Sequence, residues 1–371
     1  MYKINLKKDQ HDPYILFAVL AIVLFGALMV YSTTALRSIE VYNDSHKIFF
    51  KHIFSIIIGS ILFFLFSKIN PLFYQKHSFK LIILGIFALI LVRIPGISHH
   101  SGGATRWINI FGFQFQPGEL VKLLLAIYFA TYISRHHDKM RDFGKGIINP
   151  FIVLALFSLL LLSQPDFGST AVIAILLFVQ LITVVRLRYL TGLALFGLLS
   201  GAILIMTSTY RMKRIESFLN PFENSSGSGY QLVQSLIAIG SGGVSGIGMG
   251  ESKQKLYYLP AAHTDFIFSV ITEELGIIAG ISIVLIFTFI AYRGFLIAKN
   301  TCDDPYLSSL AIGCTTLTVL PAFLNIGVCT GLLPTKGMVL PLIAYGGSAM
   351  IIQLSNLGIL YGISKFKNSS T

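Results

Sequence analysis

The sequence predicts an all-α polytopic membrane protein with about ten transmembrane helices and both termini in the cytoplasm. Three observations predict it. The 371 residues are 54% hydrophobic and only 12% charged, with a mean hydropathy of +0.75; a soluble chain carries roughly 25% charge. Apolar runs of about 17–25 residues, each long enough to cross a bilayer as a helix, follow one another along the chain. Basic residues collect after every second run, as the positive-inside rule requires for an even number of spans.

The runs fall at 14–34, 48–67, 79–95, 117–134, 147–163, 169–185, 189–209, 266–292, 306–328 and 340–363. The first begins after Pro13 and is long enough to stay as an anchor, so no cleaved signal peptide is expected. Lys3, Lys7 and Lys8 precede it and place the N-terminus inside. Counting onward, the inner loops hold Lys68, Lys76 and Lys80; Arg135, Lys139, Arg141 and Lys145; Arg186 and Arg188; Arg293 and Lys299; and Lys365 and Lys367. This placement accounts for the net charge of +12 without a nucleic-acid partner. Cys302, Cys314 and Cys329 fall in an inner loop, a span and an outer boundary, a pattern of neither a disulfide framework nor a metal site.

The chain reads as one integral-membrane domain over 1–371, with a large extracytoplasmic loop over 210–264, between the seventh and eighth spans. Shorter outer connections lie near 35–47, 96–116, 164–168 and 329–339. The long loop opens with Tyr210-Arg-Met-Lys-Arg214 and passes a serine–glycine run from Ser225. A glycine-rich stretch, Gly240 to Gly250, then follows. An apolar stripe of Leu232, Leu236, Ile237 and Ile239 predicts a short amphipathic helix near 229–240 on the outer membrane surface. The glycine run suits close approach to lipid or sugar, or ordinary flexibility; its spacing is not that of a phosphate loop.

Gly229-Tyr-Gln, Gln234-Ser-Leu-Ile-Ala-Ile-Gly-Ser-Gly-Gly243, Gly248-Met-Gly-Glu-Ser-Lys-Gln-Lys255 and Leu259-Pro-Ala-Ala-His-Thr-Asp-Phe-Ile-Phe268 resemble the SEDS family of bacterial cell-wall polymerases, the RodA/FtsW proteins. Arg106-Trp-Ile, Gln116-Pro-Gly-Glu-Leu-Val-Lys122, Gln164-Pro-Asp-Phe-Gly168 and the run from Gly331 to Gly347 agree with it. Ser252-Lys-Gln-Lys255 and Pro334-Thr-Lys-Gly337 look like the division-type branch. The pattern is departed from at Ala261, where the family usually has Glu, at Gly118, and at Ala344 and Ala349, where it usually has Ser.

The resemblance implies a peptidoglycan glycosyltransferase of the bacterial inner membrane, serving cell division or cell shape. Lipid II donates its sugar to a growing glycan strand on the outer face, and undecaprenyl diphosphate leaves. An inverting displacement needs a carboxylate base opposite the leaving group and positive charge where the diphosphate departs. Asp265 is the candidate base, since a carboxylate at a water–lipid boundary is a functional candidate by default. Its position before the eighth span equally suits a helix cap; the resemblance favours catalysis.

Glu119 and Lys122 sit three residues apart on one helix face, where they can pair. Either alone at the bilayer centre costs about 2.5–3.5 kcal/mol, so the pair shapes the cavity or merely locks helices. Among outer cations, Arg106, Lys255 and Lys336 lie inside family motifs and are the substrate candidates. Arg211, Lys213 and Arg214 suit lipid headgroups, and Lys253 suits headgroup or diphosphate. Asp166 is a secondary candidate or the cap of the sixth span. His263 and Thr264 flank Asp265 in the motif, although a lone His is weak evidence of catalysis or metal. Glu273 and Glu274 read as interior hydrogen-bonding groups. Tyr257 and Tyr258 suit sugar stacking or interfacial anchoring equally.

No cofactor is obligatory in the chain and no protein metal cage is expected; family behaviour implies a divalent cation, Mg or Mn, held with the substrate diphosphate. The implied partners are a class B penicillin-binding protein acting as transpeptidase, other divisome or elongasome membrane proteins, and membrane lipids. Two rival classes stay open on the residues. A lipid II flippase would use buried charges and proline–glycine breaks such as Pro334 and Pro341, and a scaffold would only recruit wall enzymes.

Overall fold

A computed structural model of the protein describes residues 7–8, 11–94, 98–101, 104–110, 113–223, 227 and 229–367. Each expected span has a helix at its place. In chain order these are α1 (Pro13–Tyr42), α2 (Lys47–Lys68), α3 (Pro71–Leu91), α4 (Pro117–Arg135), α5 (Asn149–Leu162), α6 (Phe167–Leu181) and α7 (Leu187–Met206). Past the long loop's own helices, α8 (Thr209–Leu219) and α9 (Tyr230–Gly242), come α10 (Ile267–Asn300), α11 (Pro305–Cys329) and α12 (Gly347–Ile363). Among the described residues, seven helices are long and apolar enough to cross a membrane, and α6 and α12 are shorter apolar helices.

The starts of these helices are written in the sequence. Pro stands in the first turn of α1, α3 and α11 after Asp12, Asn70 and Asp304, whose side chains accept from backbone amides of that turn. This is the expected pairing of a capping side chain with a residue that has no amide hydrogen to satisfy. Helix α11 lies at the centre, with Leu310, Cys314, Ala322 and Cys329 fully buried. Helix α2 runs along α12, where a Cβ on Gly358 would lie 2.4 Å from the Phe63 carbonyl oxygen. Large apolar side chains such as Phe17, Phe50, Leu159 and Leu198 point outward, the inverse of a soluble surface and the face that lipid covers.

Both chain ends lie at one end of the bundle. Strand β1 (Lys7–Lys8) pairs antiparallel with the C-terminal β5 (Phe366–Lys367). Asp12 meets Arg293 at 2.6 Å, and Tyr306 donates to the Pro71 carbonyl at 3.1 Å. Lys68, Arg135 and Lys299 stand in the last turns of α2, α4 and α10. At the other end, the 96–116 connection contains a three-stranded antiparallel sheet, β2 (Ser98–Ser101), β3 (Ala104–Ile110) and β4 (Phe113–Phe115).

The amphipathic helix expected in the long loop forms as α9, which packs along α10 and buries Leu232, Val233 and Ala238 in the protein, whereas Ile237 of the expected stripe is exposed. The glycine run also has a packing role that its sequence did not announce. Helix α10 breaks at Gly276, at φ 78°, and the run fills the break. Ile247 and Gly248 donate to the freed carbonyls of Glu273 and Glu274 at 3.0 and 3.1 Å, and Ile277 donates to Gly243 at 3.0 Å. Gly246 and Gly276 have no room for a side chain, since a Cβ on either would lie within 2.2 Å of backbone oxygen. Residues 225, 226 and 228 of the serine–glycine run, Lys3, and the side chain of Tyr257 lie outside what is described.

Candidate active site

Asp265 lies in the turn 261–266 that delivers the chain into α10. Beside it is a cavity of about 200 Å³ at the end of the bundle away from the termini. Its wall also carries Arg106, Glu119, Lys122, Asp166 and the loop residues Gly337 to Leu340. The Asp265 carboxylate rests against Gly337, where a Cβ would lie 2.9 Å from Oδ2. Burial pushes the Asp265 carboxyl up to about 6, against the opposing pull of the Thr264 hydroxyl and of Arg214. A carboxylate with that proton affinity is suited to accept a proton near neutral pH.

Each cation around the cavity has a defined origin. Arg106, on β3, donates through Nε to the Gln164 carbonyl at 3.2 Å and through a second nitrogen to the Pro165 carbonyl. Lys336 reaches across to the Gly168 carbonyl at 3.2 Å, passing over a glycine whose Cβ would lie 3.0 Å from Lys336 Cε. Burial lowers the Lys336 ammonium to about 8, Asp166 pulls it back up, and Lys122 adds to the fall. Lys122 pairs with Glu119 at 2.6 Å across one turn of α4. Asp166 caps α6, accepting from the Ser169 amide at 3.0 Å and hydroxyl at 2.7 Å; it is both the cap and a group beside the cavity.

The remaining candidates do not join this chamber. Lys255 is held by Glu274 at 2.6 Å and by Ser32 at 3.0 Å, an ion pair that anchors the loop to α10 and α1. Glu273 accepts from Ser252 and from the Lys253 amide. Both glutamates are therefore interior hydrogen-bonding groups, as their sequence positions suggest. His263 and Ala261 face a separate cleft of about 320 Å³ with Arg37 and Lys255. Burial, aided by Arg37, lowers His263 to about 4, which leaves it neutral at pH 7. Thr264 donates to the Ala261 carbonyl at 3.3 Å and acts on the site through Asp265. Arg211 bonds the Leu204 carbonyl at 2.6 Å, and Arg214 bonds the Thr335 carbonyl at 2.7 Å.

The three positions where serine is replaced cluster here. Ala344 and Ala349 line the cavity, and a Cβ on Gly118 would stand 3.4 Å from Asp166 Oδ2. The wall is correspondingly short of hydroxyls. Asp166 and Glu119 offer the oxygen donors a hard divalent cation prefers; no cluster of three or more His, Cys, Asp or Glu exists among the described residues. The two carboxylates fit a cation whose other ligands come from outside the protein. Asn325, Gln116 and Gln353 were not singled out by sequence; the latter two line the cavity, and polar residues inside apolar helices were the available signal.

Fold and site together define a multi-pass membrane protein with a carboxylate and several cations around a chamber at one end of its bundle. Residues 13–369 match the profile of the family described as "Cell cycle protein" (FtsW/RodA/SpoVE), and the chain belongs to that family. It is 40% identical over 371 aligned residues to the probable peptidoglycan glycosyltransferase FtsW of Francisella salina, covering 97% of this chain and 90% of that one. To the protein of the same name from Geobacter metallireducens it is 38% identical, covering 98% and 97%. A chain from a peptidoglycan synthase complex that coordinates polymerization and crosslinking superposes with a TM-score of 0.77 at 25% identity, over 95% and 97% of the two chains. The rod-shape-determining protein RodA of Thermus thermophilus shares the fold, with a TM-score of 0.71 at 24% identity over 95% and 96%.

Proposed function

We propose that this protein is a peptidoglycan glycosyltransferase that polymerises lipid II into glycan strands at the outer face of the bacterial cytoplasmic membrane. The observation that carries this reading is the meeting of Asp265, poised near neutrality, with Arg106 and Lys122 around one cavity, beside which Lys336 bonds the carbonyl of the wall residue Gly168. Asp265 takes the proton from the acceptor 4-hydroxyl. That oxygen forms the new bond to the donor's anomeric carbon as the bond to diphosphate breaks. Undecaprenyl diphosphate departs with the electron pair, toward Arg106 and Lys336. Cations placed where charge develops stabilise the transition state more than the bound substrate. A divalent cation arriving with the diphosphate would find oxygen donors on Asp166 or Glu119 and would add positive charge there.

The names of the relatives support the activity. The similarity to a chain of a polymerising and crosslinking complex supports a class B penicillin-binding protein as partner, with other division or elongation proteins around it. The flippase reading fits less well, because the charged groups gather at one end of the bundle rather than at the midplane of a broken-helix pair. Purified protein given lipid II discriminates: glycan chains support the polymerase. Transbilayer movement of lipid II in liposomes without polymer supports the transporter and refutes this proposal.

A further inference from the structure

Two of the groups placed in the reaction, Asp265 and Lys336, sit on chain segments that have little regular backbone bonding of their own. The carbonyl of Asp265 is outside the α10 ladder, because Ser269 and Val270 both donate to Phe266 instead. The segment 334–339, which carries Lys336, makes no backbone–backbone hydrogen bond among the described residues. One side chain meets both segments. Asn325, in the last turns of α11 and 1% exposed, donates from Nδ2 to the Asp265 carbonyl at 2.6 Å and to the Met338 carbonyl at 2.5 Å.

The amide is fixed in this sense. Its Oδ1 accepts from Cys329 Sγ at 3.8 Å, and the same thiol reaches the Asp265 carbonyl at 3.5 Å. A flipped amide would set oxygen against two carbonyl oxygens and take the amide donor from both, a loss that buried groups do not tolerate. The anchor continues outward: Ser235 of α9 donates to the Cys329 carbonyl at 2.7 Å and contacts Ser269 at 2.6 Å. Asn325 therefore joins the turn bearing the carboxylate, at Asp265 itself, to the loop bearing the cation, at Met338, two residues past Lys336. It grips two cavity-wall residues, Asp265 and Met338, from behind through their backbone carbonyls, and bonds no reacting atom.

We infer that Asn325 is a positioning residue that holds Asp265 and the Lys336 loop at a fixed separation, so that proton acceptance and diphosphate departure occur in one geometry. The inference rests on the glycosyltransferase reading above. Small misplacements of reacting groups are costly in rate while leaving binding largely intact, so the effect belongs in kcat. The Asp265 carboxyl also depends on its enclosure. Around it stand Thr264 of its own turn, Arg214 of α8, Cys329 of α11, Lys336 beyond Gly337, and Arg106, Asp166, Glu119 and Lys122 across the cavity. A turn released from Asn325 lets water reach the carboxyl and moves its titration down toward the ordinary carboxylate range.

The test uses the full-length protein in nanodiscs with its cognate transpeptidase and lipid II, comparing wild type, Asn325→Ala and Asn325→Ser. Expected for Asn325→Ala is a fall in kcat of about 10- to 100-fold, with KM changed less than about threefold and the acid limb of the rate–pH profile displaced to lower pH. Asn325→Ser keeps a single donor, is the gentler change for folding, and should fall between the two. Wild-type kcat in both variants overturns the inference. So does a loss of rate in both that tracks lower melting temperature and weaker lipid II binding with the acid limb unmoved, the pattern of general loosening. If wild type itself makes no polymer under these conditions, the glycosyltransferase reading fails, not the role of Asn325 alone.

Discussion

Asp265 owes its proton affinity to enclosure, and enclosure makes its behaviour testable with pH. Its carboxyl titrates near 6, so the base is lost to protonation as pH falls through that value. Lys336 titrates near 8, so its charge is lost as pH rises through 8. The profile of kcat/KM, which reports the free enzyme, should be a bell between about 6 and 8; Lys336→Arg should remove the alkaline limb. A profile flat from pH 5 to 9 would contradict both assignments. Breaking the Glu119–Lys122 pair at one member leaves a buried charge, which costs about 3–5 kcal/mol. Glu119→Gln should therefore melt well below the double variant Glu119→Gln/Lys122→Met, as thermal unfolding in detergent can show. Asp265, Lys336 and Arg106 were legible because each stands in a motif. Lys255 stood in one too, yet it pairs with Glu274: spacing along the chain does not reveal which buried acid a lysine will find across the bundle.

Among the elements, α10 with its glycine-filled break sets where Asp265 stands. The break at Gly276 frees carbonyls that an unbroken helix would satisfy itself, and the 243–248 backbone supplies the missing donors. Gly276→Ala puts a Cβ 2.2 Å from the Val244 oxygen at a φ of 78°, a strain of about 1–3 kcal/mol before any displacement of the loop. It should lower the melting temperature and the polymerisation rate together. Gly197→Ala, on α7 with nothing within 4 Å, should raise stability by about 0.5–1 kcal/mol, measured by thermal unfolding. The apolar periods found a helix at each expected span, with ends displaced by up to eight residues, as at Pro71 of α3 and Asn300 of α10. They did not show that α9 packs inward or that the glycine run closes a helix, because both depend on contacts between segments far apart in sequence. The β2–β3–β4 sheet was missed for a related reason: its strands are short, and no alternating pattern of any length announces them.

For the whole molecule, the pairing of β1 with β5 and the Asp12–Arg293 bridge place both termini on the face opposite the cavity. The basic inner loops predict that this face is cytoplasmic. Cys302 is exposed on that side, whereas Cys314 and Cys329 are buried. In intact cells a membrane-impermeant thiol reagent should leave the native protein unlabelled but modify a Lys253→Cys variant, which sits exposed on the cavity side. Labelling of Cys302 from outside would invert the topology and place the chamber in the cytoplasm.

The most direct measurement is single-turnover glycan bond formation from lipid II by wild type and Asp265→Asn, with binding of lipid II followed in parallel. Asn keeps the shape of the side chain and removes its capacity to accept the proton. Bond formation should fall by about 100- to 10,000-fold while lipid II is bound with affinity within about threefold of wild type. Polymer formed by Asp265→Asn at the wild-type rate would contradict the account.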